Sequence, residues 1–330
     1  MKILVTGNAG FIGSALALKL GLDNHEVFGI DSLSNYYDIS LKKARLDKFS
    51  VQKNYCGEIQ NESFLNKVLD EVQPETVIHL AAQPGVRLPI SKVVKYVDSN
   101  LVGFSALFTN VILREIPNFL YASSSSVYGD SSTPPYSEKE IRISPNSFYG
   151  VTKYTNELLT PTLLQGSKTR ARGMRFFTVY GPWGRPDMAY FRMVSNVLTG
   201  SPFELFGEGD VKRDFTYIDD VVHAVAALHD ELINREFGFN DIVNIGGGRP
   251  VSMLEVLRTI SEIAGKKVEY SRADRNLNDV ALTISDSSYL YQLTNYKPMT
   301  DIASGLREFV NWGKESHIKS LLSQWVNSVQ

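Results

Sequence analysis

Tyr149 and Lys153 stand four residues apart, which places both side chains on one face of a helix, within reach of a shared partner. A phenol in water has a pKa of about 10 and is a poor base near neutrality. A neighbouring ammonium favours the phenolate and moves that pKa down. Such a pair can draw a proton from a sugar or alcohol hydroxyl while a hydride leaves the same carbon. Tyr-x-x-x-Lys alone specifies little, because many helix faces carry it. Two other stretches give it meaning: a glycine-rich segment near the N-terminus, and the run Tyr121–Gly129 with its serines at Ser123–Ser126.

The glycine segment reads Thr6-Gly7-Asn8-Ala9-Gly10-Phe11-Ile12-Gly13 and follows the β-rich run Ile3-Leu4-Val5. Ala15, Leu16, Leu18 and Leu20 then recur as an apolar helix would space them. Strand, Gly-x-x-Gly-x-x-Gly and helix, in that order, is the context a dinucleotide loop requires. Gly7 permits the tight turn, Gly10 lets a pyrophosphate approach the backbone, and Gly13 lets helix and strand pack closely. The next predicted strand, 26–30, ends in Asp31. A carboxylate there accepts from both ribose hydroxyls and repels a 2′-phosphate, which argues for NAD over NADP.

The remaining elements must hold these two centres together. Residues 63–72 predict a helix, and 76–82 a buried parallel strand in which His79 reads as a core histidine. Residues 93–114 predict one long helix, 119–122 another buried strand leading into the serines, and 174–179 a further strand. This alternation predicts an α/β fold built on a doubly wound parallel (Rossmann) sheet, with ligands at the C-terminal strand ends. The serine run and the Tyr149 helix both fall at that edge, after a loop marked by Pro134, Pro135 and Pro145. Beyond Gly181-Pro182-Trp183-Gly184-Arg185-Pro186 the alternation loosens, with helices predicted over 188–198, 219–229, 252–264 and 302–312. We read 1–180 as an NAD-binding domain. Residues 181–330 read as mainly a smaller C-terminal α/β substrate domain, with segments such as 219–229 returning to the first.

Composition narrows the partners. The 330 residues carry a formal net charge of −2 and no basic block, which excludes nucleic acid as an implied partner. The one cysteine, Cys56, excludes an internal disulfide and fits a reducing compartment. No run of about 18 apolar residues suggests a membrane span. The apolar run at the N-terminus is too short for a signal peptide. A soluble cytoplasmic protein is expected, and no metal site is read.

Thr-Gly-x-x-Gly-Phe-Ile-Gly, His79-Leu-Ala-Ala, Ser-Ser-x-Ser-Val-Tyr-Gly, Tyr-x-x-x-Lys and Arg213-Asp-Phe-Thr-Tyr-Ile-Asp-Asp together resemble extended short-chain dehydrogenases that act on nucleotide sugars. Within that group, Asp31-Ser-Leu-Ser-Asn-Tyr-Tyr-Asp, His79-Leu-Ala-Ala-Gln-Pro-Gly-Val-Arg87 and the stretch 175–189 look like UDP-glucuronate 4-epimerases. The resemblance runs over nearly the whole chain. It implies that Tyr149 is the base, that Lys153 lowers its pKa and holds the nicotinamide ribose, and that Ser124, with Ser126 nearby, binds the reacting sugar. It further implies that Phe11 and Ile12 offer amides to the pyrophosphate, and that Ile59, Leu80, Ala81 and Ala82 line the adenosine. Asp31 and Ser32 are expected at the ribose, and Glu58, Lys43 and Asn100 elsewhere along the cofactor. Arg213 resembles the arginine on the UDP diphosphate, Phe206 part of the uracil segment, and Asp279 the acid that closes over the nucleotide. In two places the chain departs from the family pattern. It has Gly57-Glu58-Ile59 where Gly-Asp is usual, and no glycine before Asp279.

Position 126 separates the reactions open to such a chain. Sugar 4,6-dehydratases of the group place an Asp-Glu pair where Ser125-Ser126 stands, and relatives that decarboxylate UDP-glucuronate usually have glutamate at 126. A serine there favours oxidation and re-reduction at one carbon. The expected reaction is NAD-dependent 4-epimerisation of UDP-glucuronate through a 4-keto intermediate, in a homodimer as is usual in the group. That intermediate is a β-keto acid, so the enzyme must clamp its carboxylate. Arg185 and Thr178 are the candidates, with Arg87 beside them. A 4-epimerase of neutral UDP-hexoses, a UDP-glucuronate decarboxylase and a non-catalytic NAD-binding regulator remain as alternatives.

Overall fold

A computed structural model describes residues 1–49, 51–85, 90–130, 133–140, 142–274 and 280–329. The first half alternates strand and helix: β1 (Lys2–Thr6), α1 (Phe11–Leu22), β2 (Glu26–Asp31), α2 (Ile39–Lys48), β3 (Lys53–Cys56), α3 (Glu62–Val72) and β4 (Thr76–His79). It continues through α4 (Val93–Tyr96), α5 (Gly103–Leu113), β5 (Asn118–Ser124), α6 (Phe148–Leu163) and β6 (Arg170–Phe176). Then follow β7 (Thr178–Tyr180), α7 (Ala189–Thr199), β8 (Glu204–Phe206), β9 (Lys212–Tyr217), α8 (Ile218–Leu232) and β10 (Asn240–Ile245). The chain ends in β11 (Pro250–Ser252), α9 (Met253–Ala264), β12 (Ser271–Ala273), α10 (Ser288–Thr294), α11 (Ile302–Lys314) and α12 (Ser316–Asn327).

Seven strands form one parallel sheet in the order β10-β6-β5-β4-β1-β2-β3. Both of its faces are covered, and β1 shows how. Ile3 and Val5 belong to the apolar cluster that includes Leu16 and Leu20 of α1, while Leu4 between them faces Leu65, Phe104 and Phe108 on the other side. Strand order reverses between β1 and β4, the place where ligands bind in such sheets. There Gly7, at a φ of +77°, lies so close to the chain after β4 that a Cβ would stand 2.8 Å from the Ala81 amide nitrogen. Any side chain would force this crevice apart.

The second half is not a separate run of sequence. β10 adds the outer strand beside β6, and α8 packs on α1. The three-stranded sheet β11-β9-β7 and the pair β12-β8 form the smaller sheets. Two expected elements are divided. The helix expected over 93–114 contains a π turn at Val97–Val102 between α4 and α5. Its extra residue per turn leaves Asn100 buried, with its amide bonded to Gln83 and Thr152. The strand expected over 174–179 breaks at Phe177, whose amide donates to Ile245, and β7 leaves the main sheet to pair with β9. Continuous apolarity hides both breaks.

α6 is fastened to the sheet by its inner face. Ser147 caps it, accepting from the Gly150 amide at 3.1 Å. Gly150 is needed because a Cβ there would stand 2.6 Å from the Ser126 carbonyl oxygen. Tyr149, Lys153 and Glu157 follow at intervals of four. Glu157 is buried and pairs with buried Arg175 of β6 through two bonds, Nε–Oε1 at 2.9 Å and Nη2–Oε2 at 2.7 Å, while Ser123 donates to the same carboxylate. A fork-to-carboxylate pair of this kind fixes both position and angle. Removing one partner strands the other charge. Glu157→Gln is therefore expected to cost about 3–5 kcal/mol, read as a large fall in Tm. A change within the scatter of surface mutants would mean that the pair does not hold the helix.

Candidate functional site

The dinucleotide end is assembled from three loops at the C-terminal edge of the sheet. α1 begins at Gly10 with no side chain capping it and no acid in its first turn. Its backbone N–H groups and the positive end of its dipole are thus left for an anionic ligand. Gly13 would drive a Cβ into the Gly7 carbonyl, so it carries none. Asp31 closes β2, accepting from the Ala9 amide at 3.2 Å and the Leu33 amide at 2.8 Å. Ser32 beside it is exposed. Lys43 is exposed on α2, and the lysine that reaches Asp31 is its neighbour Lys42, 3.7 Å away and also bonded to Ser34 at 3.0 Å. Ile59 is buried against Gly103, whereas Glu58 is exposed and accepts from Gln60 at 3.0 Å. Leu80, Ala81 and Ala82 follow β4, half-buried at the switch point. Asn100 accepts from the Gln83 amide at 2.7 Å and donates to Thr152 at 3.1 Å, so it ties this edge to α6. His79 is a core residue, bonded through Nδ1 to Thr6 Oγ1 at 2.7 Å, and burial lowers its pKa to about 3.

The residues expected at the reactive end are Ser124, Ser126, Tyr149 and Lys153. Ser124 closes β5. It accepts from the Ser126 amide at 3.1 Å, donates to Ser126 Oγ at 3.1 Å, and hydrogen-bonds the Tyr149 phenol. Lys153 is buried. It donates to the Ala122 carbonyl at 2.9 Å and lies 5.8 Å from the centre of the Tyr149 ring. Burial lowers the pKa of this ammonium to about 8. Burial raises the Tyr149 pKa, and the groups that pull it back are the Arg185 guanidinium and the Ser124 hydrogen bond. The Arg185 guanidinium of the loop after β7 thus joins Lys153 as a cation near the phenol.

That loop is held by groups the sequence did not reveal. Arg45 of α2 is fully buried and donates to the Trp183 carbonyl at 3.0 and 2.7 Å and to the Gly184 carbonyl at 2.9 Å. It also donates to the Ala9 carbonyl at 3.2 Å, so one side chain joins the glycine loop to the Arg185 loop. Trp183 has a φ of +63°, a left-handed value that an L residue adopts only when its surroundings require it. Arg185 pairs with Asp187 through Nε at 3.0 Å and through Nη2, and Tyr36 donates to the same carboxylate at 3.2 Å. Thr178 opens β7, half-buried.

The expected nucleotide residues lie further along. Arg213 on β9 donates to the Val280 carbonyl at 2.7 Å, and Phe206 ends β8. Asp214, beside Arg213, is fully buried. It accepts from the Gly247 and Gly248 amides and from Ser285 through both its amide and its hydroxyl, at 2.6–3.1 Å, so β9 cannot slide. Arg87 and Asp279 lie outside the described residues. His25, His229 and Asp230 gather away from this edge, where His229 is bonded to Thr76 at 3.0 Å and Asp230 at 3.3 Å.

The model of the NAD dependent epimerase/dehydratase family matches residues 3–246. A probable UDP-glucuronate 4-epimerase of Rhizobium meliloti (strain 1021) is 33% identical, the alignment covering 96% of this chain and 98% of that one. A crystal structure of UDP-glucuronic acid 4-epimerase from Bacillus cereus, in complex with UDP-glucuronic acid and NAD, is 32% identical with a TM-score of 0.87. The match covers 97% of this chain and 100% of that one. UDP-glucose 4-epimerase from Thermotoga maritima, solved with UDP-glucose, is 27% identical with a TM-score of 0.86, covering 96% and 100%.

Two outcomes follow from this geometry. Tyr149→Phe keeps the ring but removes the ionisable oxygen. Turnover is expected to fall by at least about a hundredfold while bound dinucleotide survives purification, and near-normal turnover would contradict the assignment of Tyr149 as base. Asp31→Ala should relax the preference for NAD over NADP in dinucleotide binding. An unchanged preference would remove Asp31 from the ribose.

Proposed function

The chain belongs to the NAD dependent epimerase/dehydratase family, and from that premise we propose that it is an NAD-dependent isomerase interconverting UDP-glucuronate and UDP-galacturonate at C4. One feature supports the choice of sugar: the Arg185 guanidinium, held by Asp187 at 3.0 Å through Nε, is among the groups that favour the Tyr149 phenolate. If Tyr149 serves O4, the group on the adjacent C5 lies beside it. A cation at that place suits a carboxylate and gains nothing from the hydroxymethyl of a neutral hexose. The serine at 126 offers no acid for decarboxylation or water elimination. The grouping of Ser124, Tyr149 and Lys153 argues against a silent binding protein.

The residues present fit NAD. The uncapped start of α1 suits the pyrophosphate, Asp31 the adenosine ribose, and Lys153 the nicotinamide ribose. When bound, NAD supplies the hydride acceptor and donor for C4 and, when oxidised, a positive charge. Ser124 and Tyr149 together hold O4. Tyr149 Oη takes the O4 proton, and Arg185 favours the phenolate that must form first. Arg213 and Phe206 retain the UDP while the 4-keto sugar turns over. Tyr149 then returns the proton to O4 on the other face. Remote binding energy thus keeps the intermediate in the site. Arg185 and Thr178 orient the carboxylate so that the β-keto acid does not lose CO₂.

We place the protein in solution in the cytoplasm, as a homodimer. Among the described residues no helix is long and apolar enough to cross a membrane. Val102 and Leu113 near α5, and Val151 and Leu158 on α6, present exposed apolar side chains suited to a second copy. Light scattering tests that reading directly, and a monomer would contradict it.

The substrate reading is tested at Arg185. A buried carboxylate left without its partner costs several kcal/mol, and about 1.4 kcal/mol is tenfold. Arg185→Ala is expected to lower kcat/KM for UDP-glucuronate by at least about tenfold more than for any neutral UDP-hexose accepted. An equal fall for both would assign Arg185 to the common nucleotide or to the fold. Wild-type preference for UDP-glucose would make the protein a neutral-sugar epimerase.

A further inference from the structure

Arg185 does not meet the sugar as a bare cation. Asp187 already engages its Nε at 3.0 Å and its Nη2, leaving Nη1 outside the pair. Asp187 is itself held. Tyr36, from the loop between β2 and α2, donates to Oδ2 at 3.2 Å. Burial and Asp187 both raise the Tyr36 pKa, so the phenol keeps its proton and remains a donor. Its hydroxyl packs on Gly85, where an added Cβ would stand 2.6 Å from it, so no side chain fits at that position. Next to it, Tyr37 accepts from Arg45 at 2.6 Å, and Arg45 holds the backbone of Trp183 and Gly184. The loop that carries Arg185 is thus gripped at its backbone by Arg45 and at Asp187 by Tyr36.

We propose that Asp187, oriented by Tyr36, sets how much charge Arg185 presents to the sugar carboxylate and to Tyr149, and so determines how tightly a uronate is held while it turns. This rests on the reading that Arg185 faces the uronate. A fully unpaired guanidinium would take the carboxylate in a two-bond fork and hold it as firmly in the ground state as in any later state. Such uniform binding lowers KM without raising kcat, and a sugar that must turn over would be slowed. With the Nε–Nη2 edge occupied by Asp187, the substrate is left the Nη1 side of a guanidinium whose charge is already shared with a carboxylate. Asp187 also offsets part of the field that favours the Tyr149 phenolate. Asp187 and Tyr36 are positioning residues, acting through Arg185.

The test uses the purified NAD-loaded enzyme and compares Asp187→Asn, Tyr36→Phe and Arg185→Ala with wild type. Asp187→Asn should lower both KM and kcat for UDP-glucuronate by about threefold or more. Tyr36→Phe, which keeps the ring and removes only the donor, should move both in the same direction by a smaller factor. A second readout needs no substrate. The Tyr149 phenolate, followed by its ultraviolet difference against Tyr149→Phe, should form at lower pH in Asp187→Asn. The groups that face this phenol are Arg185, Ser124, Lys153 and the ring of Tyr96, all unchanged in that variant.

An unmoved phenolate titration, with KM unchanged or raised, would overturn the proposal, as would equal losses for acid and neutral sugars matched by a fall in Tm. The parent reading fails separately, when Arg185→Ala leaves the acid-to-neutral ratio of kcat/KM unchanged. If Arg185→Ala abolishes the acid preference but Asp187→Asn and Tyr36→Phe leave KM and the titration alone, the proposal alone is wrong.

Discussion

The Glu157–Arg175 pair is the contact on which the reactive site depends. It is a buried ion pair inside the sheet-facing side of α6, and its desolvation is offset because the Nε–Nη2 edge of the guanidinium meets both oxygens of the carboxylate. That geometry fixes the rotation of α6 about its own axis. Tyr149 and Lys153 lie on the same face, two turns and one turn before Glu157, so their direction follows from the pair. Ser123 donates to the same carboxylate, and Ser124, next in the strand, meets the phenol. Strand end and helix start are therefore positioned by one buried charge pair, and the glycine at 150 lets them close to contact.

The second constraint joins the two ends of the ligand cleft. α2 and the loop before it contribute Arg45, Tyr36 and Tyr37, none of which needs to touch substrate. Arg45 bridges the glycine loop and the loop after β7, and Tyr36 orients Asp187. Through them the segment that follows Asp31 also holds the loop that carries Arg185. The glycine loop and the loop after β7 are thus joined through one buried side chain.

Much of this was legible in the residues. Gly7, Gly10, Gly13 and Asp31 announced a dinucleotide loop because backbone approach and tight turns admit few other residues. Tyr149, Lys153 and the serine run announced the reactive edge because their spacing matched a helix face and a strand end. The buried lacing was not legible. Glu157 sits at helical spacing from Tyr149 but reads as one more polar helix residue until Arg175 is placed beneath it. Arg45 gave no signal, since the loop carbonyls it holds, at Trp183 and Gly184, are 138 and 139 residues away in sequence. The π turn at Asn100 and the break at Phe177 were hidden for a related reason: apolar periodicity reports burial, not the path of the backbone. Lys43 and Lys42 are adjacent, and only the orientation of α2 decides which one reaches Asp31.

In the proposed reaction one carbon of a UDP-uronate is oxidised and reduced again within a site whose base is Tyr149. UDP-glucuronate carrying deuterium at C4 tests it most directly, with the NAD-loaded enzyme in ordinary water and the product identified by NMR. The expected product is UDP-galacturonate that keeps the deuterium at C4, with little pentose. Loss of the label to solvent, a predominantly decarboxylated product, or no conversion of this sugar while UDP-glucose is epimerised would contradict it.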